Sequence, residues 1–153
     1  MKLDQVDIQL LRVLQEDGRI TLSDLSKRLN LSRPSVTERM NRLKDHGVIE
    51  NISARICFPK VGINVSAFMQ LRDVTVALQT FEEFAGSHPC ILECHRITGA
   101  ISYMLKVAVS DMAELDRLID ELIAYGDVNT SIVLKSPVPY KMIQPAGGLR
   151  TEV

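Results

Sequence analysis

Apolar positions in the first forty-five residues recur at helical spacing and are broken three times by polar or glycine-containing turns. Val6, Leu10, Leu11 and Leu14 step by three and four behind Asp4, a good N-cap, so a helix is predicted over 5–16, ended by Asp17-Gly18. Leu22, Leu25 and Leu29 form a shorter stripe, and Thr21 with Asp24 fits a capping box, which predicts a second helix over 22–29. Asn30 tolerates left-handed backbone, Leu31 is an apolar anchor and Ser32 a new cap. A third helix then starts at Arg33, accepts Pro34 in its first turn and stops before Gly47. Val48 to Phe58 alternates enough for a strand or a two-stranded wing, closed by Pro59. Three helices and a wing describe a winged helix-turn-helix domain over 1–58, with the helix-turn-helix at about 21–46.

The period changes after a Pro- and Gly-punctuated linker at 59–64. Val65 to Leu71 reads as a strand, Thr75 to Ala85 as an amphipathic helix, Ile91 to Ile97 and Ile101 to Val109 as strands, Met112 to Tyr125 as a helix and Val128 to Lys135 as a strand. The order βαββαβ is the ferredoxin-like split arrangement, with both helices on one face of a four-stranded antiparallel sheet. The whole is therefore α+β, with a second domain over 65–143. The sheet's other face needs cover, so pairing of two subunits through it is expected. Tyr140 to Ile143 reads as an edge strand, and 144–153, with Pro145, Gly147 and Gly148, as a flexible tail.

Charge divides the chain at the same place. The net charge is -1, but residues 1–60 carry +3 and residues 61–153 carry -4. Between Lys27 and Lys44 six basic residues face a single acid, Glu38, which is a footprint suited to a polyanion. At about 100° per residue, Val36, Met40 and Leu43 of the third helix fall on one side. Pro34, Ser35, Glu38, Asn41 and Arg42 fall opposite, with Arg33, Thr37 and Arg39 on the flanks. Arg pairs with guanine, Ser and Thr with phosphate or base edges, and Glu with cytosine. Phosphate contacts are expected from Lys27, Arg28, Ser32 and Arg42, and base contacts from Arg33, Ser35, Thr37, Glu38 and Arg39. Double-stranded DNA is the implied partner.

Other chemistries fare worse. Cys90, Cys94 and His95 suggest a metal by type, but Cys94 and His95 are adjacent on a predicted strand and point to opposite faces. The three cysteines are expected as free thiols in a reducing compartment. The helical carboxylates lie on predicted solvent faces with no histidine converging on them, and no phosphate loop or nucleophile elbow is present. No enzyme activity, metal or cofactor is expected. The first residues carry two acids, and no apolar run approaches the roughly 20 residues of a membrane helix. A cytoplasmic protein without a membrane partner is expected.

Several motifs in order resemble the Lrp/AsnC family of transcription regulators. They are Leu3-Asp-x-x-Asp7, Gln15-Glu-Asp-Gly-Arg19, Leu25-Ser-Lys-Arg-Leu-Asn-Leu31-Ser32, Val36-x-x-Arg39-x-x-x-Leu43 and Gly47-Val-Ile, followed by Glu93-Cys-His-Arg-Ile-Thr98-Gly99, Tyr103-Met-Leu-Lys-Val107 and Asp111-Met. The resemblance implies a DNA-binding regulator that assembles as dimers, and often as tetramers or octamers, and that senses an amino acid or related metabolite in its second domain. The effector is expected at Thr98, Gly99, Ala100, Ile101, Ser102 and Tyr103, with Asn129, Thr130 and Ser131. Ser102 stands where the family often carries an acid, so an ammonium group would meet a hydroxyl instead of a carboxylate. The alternative that this substitution favours is an architectural protein that bends or wraps DNA without an effector.

Overall fold

The computed structural model describes residues 1–145; the expected tail from 146 on lies outside the described residues. Two units are present among the described residues, one built from residues 1–55 with 138–145, the other from Ile56–Pro137. No helix among the described residues is long and apolar enough to cross a membrane.

The first unit opens with α1 (Gln5–Glu16), α2 (Leu22–Leu29) and α3 (Arg33–Asp45), at the bounds the apolar stripes and caps predict. Asp4 and Asp7 form a reciprocal capping box on α1, Thr21 caps α2, and Ser32 accepts the Ser35 N–H at the start of α3. Asn30 closes α2 in left-handed backbone, φ 51, and its N–H reaches back to the Lys27 and Ser26 carbonyls. Gly47, φ 67, ends α3, after which Val48 and Ile49 both donate to the Leu43 carbonyl. Leu10, Leu25, Leu29, Val36 and Leu43 form the buried centre of this unit, one or two side chains from each helix. They hold α3 by its Val36/Leu43 side and leave the opposite side in solvent.

Two expectations in this unit are corrected. Val48 to Phe58 forms no strand; among the described residues it has no ladder partner, and Ile52 and Ile56 stay exposed. Tyr140 to Ile143 is no edge strand either. The Gln15 side-chain amide donates to the Ile143 carbonyl (3.0 Å) and accepts its N–H (2.8 Å), while Arg55 lies 4.7 Å over the Tyr140 ring. One side-chain amide thus supplies the bond pair that a neighbouring strand would have supplied.

The second unit begins with a single 3-10 turn, Phe58–Val61, where the linker was expected. It continues as β1 (Val65–Arg72), α4 (Leu78–Ser87), β2 (Ile91–Arg96), β3 (Tyr103–Val109), α5 (Met112–Ile123) and β4 (Asp127–Ile132). The antiparallel order β2-β3-β1-β4 is the ferredoxin-like one. Helix α4 starts three residues later than predicted because the Thr75 N–H is bonded to the Tyr125 carbonyl. Ala67, Met69, Leu71, Tyr103, Leu105 and Val107 face Phe81 and Ala85 of α4 and Leu115, Leu118 and Leu122 of α5 in one core. Both helices therefore cover the same side of the sheet, and Phe68, at the centre of the other side, remains 45% exposed.

Candidate nucleic-acid interface

Helix α3 is presented by a three-residue turn, Asn30-Leu31-Ser32, behind the shorter α2, and its outer side is a shallow groove lined by Arg33, Pro34, Thr37, Glu38, Asn41, Arg42, Asp45 and His46. Arg33 is exposed and tethered at its Nη2 by the Ser23 hydroxyl oxygen, 2.9 Å away. Ser32 and Ser35 share a hydroxyl contact of 2.9 Å at the helix start, where unpaired backbone N–H groups and the dipole favour an anion. The Thr37 hydroxyl donates to the Arg33 carbonyl, which leaves its lone pairs and methyl outward. Glu38 and Asn41 are exposed with no side-chain hydrogen bond among the described residues. The structure thus brings Arg33, Thr37, Glu38 and Arg42 together on one surface with Ser35 beside them. It adds Asn41, which the sequence reading placed on this face but did not assign a contact; its spacing of three and four from Glu38 and Thr37 is the signal for it.

The basic cluster is less free than its composition suggests. Lys27 lies 3.5 Å from Asp24, and Arg28 4.0 Å from Glu16, both in exposed pairs that hold little energy. Arg39 and Arg42 are different. Arg39 Nη1 reaches Asp4 at 2.6 Å and Asp7 at 2.7 Å, and Arg42 Nη2 donates to both Asp7 oxygens at 2.8 and 2.9 Å. The Asp7 side chain is 1% exposed and that of Arg39 24%. The N–H of Asp7 and the neighbouring guanidinium of Arg39 hold the Asp4 carboxyl below the usual range, while Asp4 and Asp7 push the Arg39 pKa up. In the free chain the Arg39 guanidinium, expected at a base, is engaged on these two carboxylates and braces α3 against the start of α1. Asp7 was missed as a functional residue. Its signal was an acid in the apolar stripe Leu3, Asp7, Leu10, Leu14, where a carboxylate is stable only with a partner.

In the second unit the residues expected at an effector site lie on two segments, the β2–β3 turn and β4, whose ends flank Leu71 of β1. Thr98, Gly99 and Ala100 lie exposed in the β2–β3 turn, with Gly99 at φ 108, and the turn is closed by the Ile97 N–H on the Ser102 carbonyl (3.1 Å). The Ser102 N–H binds the Leu71 carbonyl, and Ile101 is half-buried. Tyr103 is a core residue, and its hydroxyl donates to Glu82 at 2.6 Å; burial first, and then that carboxylate, push its pKa up to about 12. On β4, Thr130 pairs with buried Met69 on the helix side, whereas Asn129 and Ser131 pair with Gln70 and Phe68 on the open side. Cys94 turns inward and His95 outward, as the strand alternation predicts, and burial raises the pKa of Cys90 and of Cys94.

Each unit matches a known family model. A winged helix-turn-helix DNA-binding family model matches residues 3–50, and the Lrp/AsnC ligand binding domain model matches residues 66–143. The uncharacterized HTH-type transcriptional regulator YezC of Bacillus subtilis is 40% identical over 88% of this chain and 95% of its own length. The solved structure of Bacillus subtilis LrpC superposes with a TM-score of 0.87 at 28% identity, covering 92% of this chain and all of that one. The NMB0573/L-Met complex from Neisseria meningitidis superposes at 0.84 and 28% identity, covering 93% and 96%.

Proposed function

The chain belongs to the Lrp/AsnC family of DNA-binding transcription regulators, which are not enzymes, and from that premise we propose that it prefers particular DNA sequences, assembles at least as a homodimer, and answers to an amino acid or related small metabolite. The observation that carries the DNA reading is the outer side of α3. It is a capped helix following a short turn, with Arg33, Ser35, Thr37, Glu38 and Asn41 on or beside one exposed groove. In the major groove those side chains meet base edges, while Lys27, Arg28 and Ser32 meet phosphates and Arg42, expected with them, is held on Asp7 at the edge of the groove. A protein acting on chromosomal DNA in this way works in the cytoplasm.

The metabolite reading rests on the ligand-binding family model over 66–143 and on the methionine complex of the similar Neisseria protein. Within one chain Asn129 and Ser131 lie on the open side of the sheet and Thr98 to Ser102 at the end of the β2–β3 turn. A pocket that uses both sets is completed by a second subunit. Ser102 offers a hydroxyl to the ligand's ammonium, which favours weak or less cationic effectors over ordinary amino acids.

Selection of bound sequences from random duplex DNA at two salt concentrations, with and without a mixed amino-acid pool, tests these points together. An enriched pseudo-palindromic site whose recovery changes with the pool is the expected result, and single amino acids that raise the melting temperature then identify the effector. Salt-sensitive binding without an enriched site or a response identifies an architectural protein instead, and absence of binding overturns the proposal.

A further inference from the structure

The Asp7 network places two of the six basic residues of the Lys27–Lys44 segment on a buried carboxylate. We propose that Asp7 is a specificity-determining residue: it holds the guanidinium groups of Arg39 and Arg42 on the protein and so withholds their charge from DNA phosphates, leaving discrimination to the uncharged and singly placed groups of α3. The inference rests on the reading of α3 as the DNA-facing helix.

The geometry separates this arrangement from an ordinary surface ion pair. Asp7 lies on the inner side of α1 with no exposed surface, and its two oxygens take three guanidinium donations at 2.7 to 2.9 Å and the Asp4 N–H at 3.1 Å. Such a carboxylate cannot rotate away to water, so the arginines are held as long as α1 and α3 stay packed. With Asp4 included, two acids balance two arginines, and of the six cations only Arg33 and Lys44 have no acid within 4 Å among the described residues. Non-specific affinity for duplex DNA grows with each cation free to displace a counterion, whereas base readout does not. A recognition helix that hides two of its charges gives up random binding and gains in the ratio of operator to random affinity.

The experiment measures affinity against salt for a duplex recovered by selection and for a random-sequence duplex, using the full chain. Asp7→Asn is expected to bind random DNA more tightly at low salt. Its log K against log[salt] slope should steepen by about 1–2, an extra loss of about fourfold to sixteenfold over a fourfold rise in salt, with a lower selected-to-random ratio. Adding Arg42→Gln to Asp7→Asn should return about 1 of that slope. Asp4→Asn keeps the N-cap and touches only Arg39, so it should steepen the slope by less and serves where Asp7→Asn does not fold. A purely structural role lowers affinity for both duplexes along with thermal stability and leaves the slope unchanged. That result in the aspartate variants, with Arg33→Ala still losing the selected duplex, overturns the proposal and leaves the DNA-facing reading standing. If Arg33→Ala loses nothing, the reading beneath it fails instead.

Discussion

A methyl group on Gly126 would run into the carbonyl oxygen of Arg72 and lie 3.2 Å from that of Asp73 and 3.3 Å from the Leu71 side chain, at the start of β4 where it joins β1. Both oxygens are backbone atoms, and that of Arg72 sits where β1 pairs with Asp127 of β4, so Gly126→Ala should lower the unfolding free energy by about 1–3 kcal/mol in a denaturant titration. Gly86, on the open side of α4, has nothing within 4 Å, and there Gly86→Ala should stabilise by about 0.5–1 kcal/mol. Tyr103 gives a residue-scale pH dependence. Its pKa in the folded chain is raised from 10.0 to about 12, so the neutral phenol belongs to the folded state. Its contribution is complete below the unfolded pKa and is lost as pH rises towards 12. Ultraviolet titration should find one of the three tyrosines ionising near the top of that window. Tyr103→Phe should remove both that step and the matching fall in stability, at a cost of about 1 kcal/mol at neutral pH for the lost bond to Glu82.

At the scale of elements, α3 is weakly apolar, with Val36 and Leu43 its only buried residues, so its caps matter more than its packing. Ser32→Ala should cost about 1 kcal/mol of stability. Ser32→Asp should keep the cap and the stability yet weaken DNA binding, because it sets a second anion where a phosphate is expected; equal binding by Ser32→Asp and the parent chain would place α3 elsewhere. The three helices were legible because every signal for them is local: a cap, a stripe of period 3.6, a breaker. The absence of strands at 48–58 and 140–143 was not. Val48 to Phe58 alternates well, but a strand is defined by a partner, and alternation carries no record of one. The tie between Gln15 and Ile143 spans 128 positions and rests on an amide that no periodic pattern marks. The candidate interface was legible in outline from the face of α3. The occupation of Arg39 was not, since its partner Asp7 lies 32 residues earlier and only its odd place in an apolar stripe hinted at a buried pair.

At the scale of the whole molecule, the open side of the sheet is the surface through which the proposed dimer would form. Phe68 sits on the central strand β1, opposite Lys106 on one neighbour and Ser131 on the other, and 45% of it meets solvent in a single chain. Around it the charges are already matched: Glu93 holds Lys106 at 2.7 Å, and Arg72 is paired with Asp127. An apolar centre ringed by satisfied ion pairs can be covered by its own copy without stranding a charge, and a self-complementary patch of this kind makes a two-fold dimer. Phe68→Asp places two like charges near the centre of that interface. It should turn the dimer into a monomer by sedimentation at micromolar concentration, with the helical circular dichroism of the chain unchanged. Because each subunit then carries its α3 to DNA alone, affinity for a two-half-site operator should fall by about 10²–10⁴-fold while affinity for a single half-site changes little. A Phe68→Asp protein that stays dimeric and keeps its operator affinity would move the subunit contact to another surface, and would remove the partner subunit from the effector pocket proposed at Asn129 and Ser131.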